Sequence, residues 1–232
     1  MSARNSVFCA LDVNDLAKAY ELARALKGRV YGFKVGLEFF LAQGIAGYKN
    51  IAETGAPIFL DLKLHDIPNT VAGAVASILP LAPAFLTVHA GGGPAMMRAA
   101  ADAAAKGSMA RPKLLGVTVL TSMDAGDLAA VGQDANTGHQ VMRLARLAKE
   151  SGLDGIVCSP EEVKTLRAAL GPDFILMVPG IRPAWATSND QKRVMTPKEA
   201  VEAGASYLVI GRPITGADQP AAAADRIQAE LA

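Results

Sequence analysis

Apolar residues fall along this chain in two alternating rhythms. Short runs rich in Val, Ile, Leu and Phe predict strands at Val7–Leu11, Val30–Val35, Ile58–Leu62, Phe85–His89, Leu114–Leu120, Gly155–Cys158, Phe174–Val178 and Tyr207–Ile210. Most are near-continuous rather than alternating, as expected of strands buried on both faces in a parallel sheet. Between them the period lengthens to that of a helix. Leu16, Ala19, Tyr20, Ala23 and Leu26 repeat at three- and four-residue spacing, after a candidate cap at Asn14 and before Gly28. Val71, Val75, Ile78 and Leu79 do the same ahead of Pro80, and Val141, Leu144, Ala145 and Ala148 ahead of Gly152. A last helix is predicted from Pro220 to Leu231.

Alternating β and α elements imply parallel strands joined by right-handed crossovers. Eight such units in 232 residues predict a closed (β/α)8 TIM barrel, one domain over residues 1–232, in preference to an open doubly wound sheet. The segment Pro179–Met195 has no clear period. It follows the seventh strand, where barrels often build phosphate sites, and a loop this long is usually functional or disordered.

Composition narrows the function. Hydrophobic residues make up 51% of the chain, and much of that is alanine, which suits helices lying close against a sheet. The 23 basic and 22 acidic residues are scattered, so nothing marks a nucleic-acid or anionic-membrane partner, and an anionic substrate has to be gripped by a few placed groups. Cys9 and Cys158 sit in apolar runs and read as buried, reduced thiols. With no apolar leader in the first residues and no stretch of membrane-spanning length, the expected location is cytoplasmic. Three scattered histidines make no metal-ligand set, and Gly91-Gly92-Gly93 reads as a turn rather than a dinucleotide fingerprint.

The expected chemistry lies at the C-terminal strand ends, where such barrels carry their active sites. Asp12 follows strand one, Lys34 lies in strand two, and strand three runs into Asp61-Leu62-Lys63-Leu64-His65-Asp66. Strand side chains alternate, so Asp61 and Lys63 should share the barrel-facing side, with Lys34 opposite them. A single such pair would read as a structural ion bridge; three charges converging at the catalytic rim read as a functional array. Gly211 and Arg212, after strand eight, offer close backbone approach and a bidentate fork for a phosphate. His65, between Lys63 and Asp66, is expected to point away from the pocket. His89 is expected to orient its neighbours or the following loop, His139 to be solvated, and Trp185 to pack its loop down.

Asp61-Leu-Lys-Leu-His-Asp-Ile-Pro-Asn-Thr70 resembles the D-x-K-x-x-D-I signature of the orotidine monophosphate decarboxylases. The resemblance extends through Leu11-Asp12-Val13, Phe33-Lys34-Val35-Gly36, Val119-Leu120-Thr121-Ser122-Met123, Pro179-Gly180-Ile181-Arg182-Pro183, Asp190-Gln191-Lys192-Arg193 and Ile210-Gly211-Arg212-Pro213, in the order of the bacterial branch. It implies a lyase that needs neither metal nor organic cofactor and converts orotidine monophosphate to uridine monophosphate. It further implies that Asp12 and Lys34 bind ribose hydroxyls, that Asp61 lies beside the substrate carboxylate, and that Lys63 protonates the ring carbon. Thr121 and Ser122 would contact the pyrimidine, and Arg182, Gln191, Gly211 and Arg212 the phosphate. Asp66 and Thr70 would reach into the site of a partner in a homodimer. Two other readings remain at this point: a metal-dependent sugar-phosphate decarboxylase or aldolase of the same superfamily, and a catalytically silent phosphate-binding barrel.

Overall fold

The computed structural model describes residues 6–107, 111–186 and 195–232. Its centre is a closed barrel of eight parallel strands paired in chain order, with β8 returning to β1. The strands are β1 (Val7–Ala10), β2 (Gly32–Gly36), β3 (Ile58–Leu64), β4 (Phe85–His89), β5 (Lys113–Val117), β6 (Gly155–Val157), β7 (Ile175–Val178) and β8 (Tyr207–Ile210). Helices α1 (Leu16–Leu26), α2 (Leu37–Ala52), α3 (Pro68–Ile78) and α4 (Gly93–Ala105) follow the first four strands in turn. α5 (Ala125–Ala130) and α6 (Thr137–Glu150) follow β5, α7 (Val163–Leu170) follows β6, and α8 (Pro197–Ala203) follows β7. α9 (Arg212–Thr215) and α10 (Pro220–Glu230) complete the chain. Among the described residues no helix is long and apolar enough to cross a membrane.

The near-continuous apolar strands supply two cores. Outward positions such as Val7, Cys9, Phe33, Val35 and Leu60 pack under the helices. Inward positions Phe8, Phe59, Phe85, Leu115, Met177 and Tyr207 fill the barrel itself. Phe8 meets Phe59, Phe85 and Tyr207 edge-to-face with centroids 5.5–5.9 Å apart, a favourable ring geometry. Beyond this packing, toward the C-terminal strand ends, the barrel opens into cavities.

Several boundaries differ from expectation, for local reasons. β2 begins at Gly32 rather than Val30 because the Arg29 and Val30 N–H groups donate to Leu26 O and close the end of α1. Gly28, at φ +79°, turns the chain there. The cap of α1 is Asp15, whose carboxylate accepts from Lys18 N at 2.9 Å, and not Asn14. β5 stops at Val117, three residues before the expected Leu120; Thr118 Oγ1 then donates to Val157 O at 3.0 Å in place of a ladder bond. β3 runs two residues past Leu62. Leu60 pairs with Leu86 and Leu64 with Val88, so four steps along β3 match two along β4. The excess is even, which keeps Leu60 and Leu64 on the same, helix-facing side.

The N-terminal end of the barrel is tied by ionic bonds. Asp154, just before β6, accepts from Arg111 Nη1 at 3.0 Å and Nη2 at 2.7 Å, from Lys113 Nζ at 3.1 Å and from Leu114 N at 2.8 Å. Burial works against the carboxylate charge, but these bonds outweigh it and hold Asp154 below the usual carboxylate range. Arg167, in the last turn of α7, donates to the carbonyls of Gly171, Phe174 and Gly204 and to Ser206 Oγ. One guanidinium thereby joins the end of α7, the approach to β7 and the approach to β8.

Candidate active site

At the C-terminal end the barrel opens into a cleft with two adjoining lobes that share Lys34, Pro179 and Val209. The first lobe, about 360 Å³, is lined by Asp12, Lys34, Glu38, Arg182, Gly211 and Arg212 among others. The second, about 220 Å³, is lined by Lys34, Asp61, Lys63 and Thr121 together with Phe59, Val119, Leu120 and Cys158. Cavities of a few hundred Å³ with a few convergent polar groups are the size of small-molecule sites. The first lobe is polar and cationic at its outer end. The second is mostly apolar and carries one carboxylate and two amines.

Each charge in the second lobe is placed by its strand. Lys34 stands mid-β2, and its ammonium donates to Asp12 Oδ1 at 2.6 Å. The absence of a side chain at Gly36 makes room for this pair, since a Cβ there would come within 2.7 Å of Lys34 Nζ and 3.1 Å of Asp12 Oδ1. Lys63 Nζ donates to Asp61 Oδ2 at 2.8 Å. The expected shared face of Asp61 and Lys63 therefore holds, although not through simple alternation. Lys63 lies inside the irregular stretch of β3 with φ +51°, a left-handed backbone that side chains rarely adopt. Thr87 on β4 meets this stretch: its hydroxyl accepts from Lys63 N at 2.8 Å and donates to Asp61 Oδ1 at 2.9 Å. Sequence reasoning missed Thr87, because one threonine in an apolar strand reads as an ordinary β-former.

Of the residues expected in the site, Asp12, Lys34, Arg182, Gly211 and Arg212 meet in the first lobe, and Lys34, Asp61, Lys63 and Thr121 in the second. Arg182 is 7% exposed, and its N–H donates to Met195 O at 3.0 Å, closing the base of the long loop. Ser122 is exposed in the turn after Leu120 and lines neither lobe. Asp66 and Thr70 are also exposed beyond the end of β3 and line neither lobe of their own chain; Asp66 Oδ1 accepts from Ile67 N at 2.6 Å. Gln191 lies outside the described residues. Glu38, Cys158 and Thr215 line the cleft without having been anticipated.

The histidines behave as ring and loop supports. His65 and His89 stack at 5.0 Å and 11°, and His89 Nδ1 accepts from Gly91 N at 3.1 Å, which orients the turn after β4. Burial, then His65 and Lys63, lower the pKa of His89, so the ring is neutral at physiological pH. His139 sits in the exposed first turn of α6. Trp185 holds the start of the long loop against α10, donating to Glu230 Oε1 at 2.8 Å beneath the Arg226 guanidinium. Burial, reinforced by Asp12 and opposed by Lys34, raises Cys9 to about 12. Burial likewise lifts Cys158 well above the usual thiol range. Among the described residues no three His, Cys, Asp or Glu side chains group as metal ligands.

Comparison with known proteins agrees with the barrel fold. An orotidine 5'-phosphate decarboxylase of Rhodospirillum rubrum is 54% identical over 233 residues, covering 98% of this chain and 94% of that protein. One from Paramagnetospirillum magneticum is 54% identical over 231 residues and 98% of both chains. The crystal structure of orotidine 5'-phosphate decarboxylase from Lactobacillus acidophilus matches with a TM-score of 0.85 and 41% identity, covering 98% of this chain and 99% of that one. With residues 5–227 matching the model of the Orotidine 5'-phosphate decarboxylase / HUMPS family, the chain belongs to that family.

Proposed function

We propose that this chain is a carboxy-lyase that converts orotidine 5'-monophosphate to uridine 5'-monophosphate, the last step of de novo uridine monophosphate synthesis, using its own side chains alone. The observation that carries the reading is the Asp61–Lys63 pair in the apolar second lobe, adjoining the first lobe lined by Arg182, Gly211 and Arg212. The phosphate lies against Gly211 and the two arginines, the ribose hydroxyls against Asp12 and Lys34, and the pyrimidine in the second lobe near Thr121, with Ser122 at the rim beyond it.

In this pose the C6 carboxylate meets Asp61. The C6–carboxylate bond breaks, carbon dioxide leaves, and the electron pair stays on C6, where no adjacent carbonyl delocalises it. The Lys63 ammonium, fixed by Asp61, stabilises the developing charge and donates a proton to C6; solvent then reprotonates the amine. The negative charge of Asp61 disfavours the bound carboxylate relative to the transition state. Lys34 and Asp66 complete an alternating set of charges around the reacting carbon.

Asp66 comes from a second copy of the chain, in a homodimer with two shared sites. The support is its exposed position, together with Thr70, next to the exposed Ile67 in the chain. Leu41 is 78% and Ile67 66% exposed, and Leu37, one turn before Leu41 on α2, is also exposed. Large apolar side chains left this exposed are candidates for burial between two copies.

An ultraviolet assay of orotidine monophosphate consumption, run with and without a strong chelator on thoroughly dialysed protein, tests the reaction. Turnover unaffected by the chelator is expected. No consumption of the nucleotide would refute the substrate, and turnover restored only by a divalent metal would favour the sugar-phosphate branch.

A further inference from the structure

We propose that Thr87 is the positioning residue for the Asp61–Lys63 pair, acting through one hydroxyl bonded to both. Thr87 is 0% exposed. Its Oγ1 accepts from the Lys63 backbone N–H at 2.8 Å and donates to Asp61 Oδ1 at 2.9 Å, while Asp61 Oδ2 accepts from Lys63 Nζ at 2.8 Å. These three bonds close a ring through the backbone of Lys63, its ammonium, the carboxylate and the threonine.

The ring answers a local problem. Between Leu60 and Leu64 the ladder with β4 is interrupted, so the Lys63 N–H has no strand carbonyl opposite it. A donor at a poorly exposed position needs an acceptor, and φ +51° at a residue with a side chain persists only where the surroundings impose it. A hydroxyl accepts and donates at once, so a single group both holds the strained backbone and turns the carboxylate toward the amine. Valine has nearly the same shape and offers neither bond.

The inference rests on the roles given to Asp61 and Lys63 above, so the experiment runs Thr87→Val, Thr87→Ser and Lys63→Ala side by side with orotidine monophosphate. Misplacing a reacting group by about 1 Å can cost ~10²-fold, and Thr87→Val is expected to lower kcat by roughly that factor while KM moves less than about threefold. Thr87→Ser keeps the hydroxyl and should stay within about threefold of the parent kcat. A kcat for Thr87→Val within about twofold of the parent, a loss confined to KM, or equal losses in the valine and serine variants would overturn the proposal. If Thr87→Val does not fold, Thr87→Ala removes the hydroxyl without adding bulk and is judged by the same criteria. Failure of both to fold would overturn the proposal in favour of a purely structural role. An active Lys63→Ala would sink the reading of the site itself, whereas an inactive Lys63→Ala beside an active Thr87→Val would sink only the assignment of Thr87.

Discussion

The two ends of this barrel use the same kinds of charged side chain for opposite ends. At the N-terminal end, Asp154 is surrounded by four donated hydrogen bonds from Arg111, Lys113 and the Leu114 N–H. Arg167 spends its guanidinium on chain carbonyls and a serine. At the C-terminal end, Asp61 receives one bond from Lys63 and one from Thr87, and the Lys63 ammonium otherwise faces a cavity. Identity of the residues does not distinguish lock from tool. The distinction lies in whether the charge is saturated by its own protein or left turned toward space that a substrate can fill.

That contrast can be broken from either end. The largest effect is expected from Lys63→Ala, which removes the proposed proton donor, a role commonly worth ~10²–10⁴-fold, together with a facing charge; kcat should collapse while the thermal midpoint changes little. Next comes Arg212→Ala. Bonds to charged groups are worth about 1.5–3 kcal/mol, so kcat/KM on the nucleotide should fall roughly 10- to 100-fold, with little change on the nucleoside lacking phosphate. Equal losses on both substrates would make Arg212 structural.

Asp154→Asn should do the reverse. It is expected to cost about 1.5–3 kcal/mol in urea unfolding at neutral pH and to leave kcat near the parent value. The pKa of Asp154 is lowered in the folded state, so its stabilisation is present above the unfolded value and lost as pH falls through the folded one. The gap between parent and variant should therefore narrow below about pH 4. A gap that widened there would contradict the assignment. The smallest effect is expected of Gly36→Ala. Its new methyl crowds the far ends of Lys34 and Asp12, which can shift, so a loss near the low end of the ~1–3 kcal/mol typical of overpacking should appear, chiefly in KM.

Much of the architecture was legible in the sequence because it depends on the repeating placement of apolar residues. The run Tyr207–Ile210 gave its strand to the residue, and Ile58–Leu62 lay within its strand. What was less legible depends on groups that meet only after closure. Parity put Lys63 beside Asp61, yet nothing in the letters announces an irregular strand there, or that a threonine 24 positions later would hold it. Lys34 was expected to face Asp61 and Lys63; it lines their lobe, but its 2.6 Å bond goes to Asp12, which the closing of β1 onto β2 brings near. Asn14 lost its capping role to Asp15 because two adjacent residues with similar side chains compete, and one residue of phase decides. Thr70 and Asp66 carry no mark in the sequence pattern of where their side chains act, and in the folded chain both are exposed and line neither lobe of the cleft.

The two surplus residues in β3 also govern which insertions and deletions this strand end can survive. Loss of one residue between Leu60 and Leu64 would exchange the two faces of everything beyond it. The lysine would then point into the apolar layer beneath the helices, where an unaccompanied ammonium costs several kcal/mol. Loss of two that spares the lysine would also remove Asp61, the carboxylate to which its ammonium is bonded. The interval from Asp61 to Lys63 is thus fixed in length by the pair it carries and by the face that pair must keep.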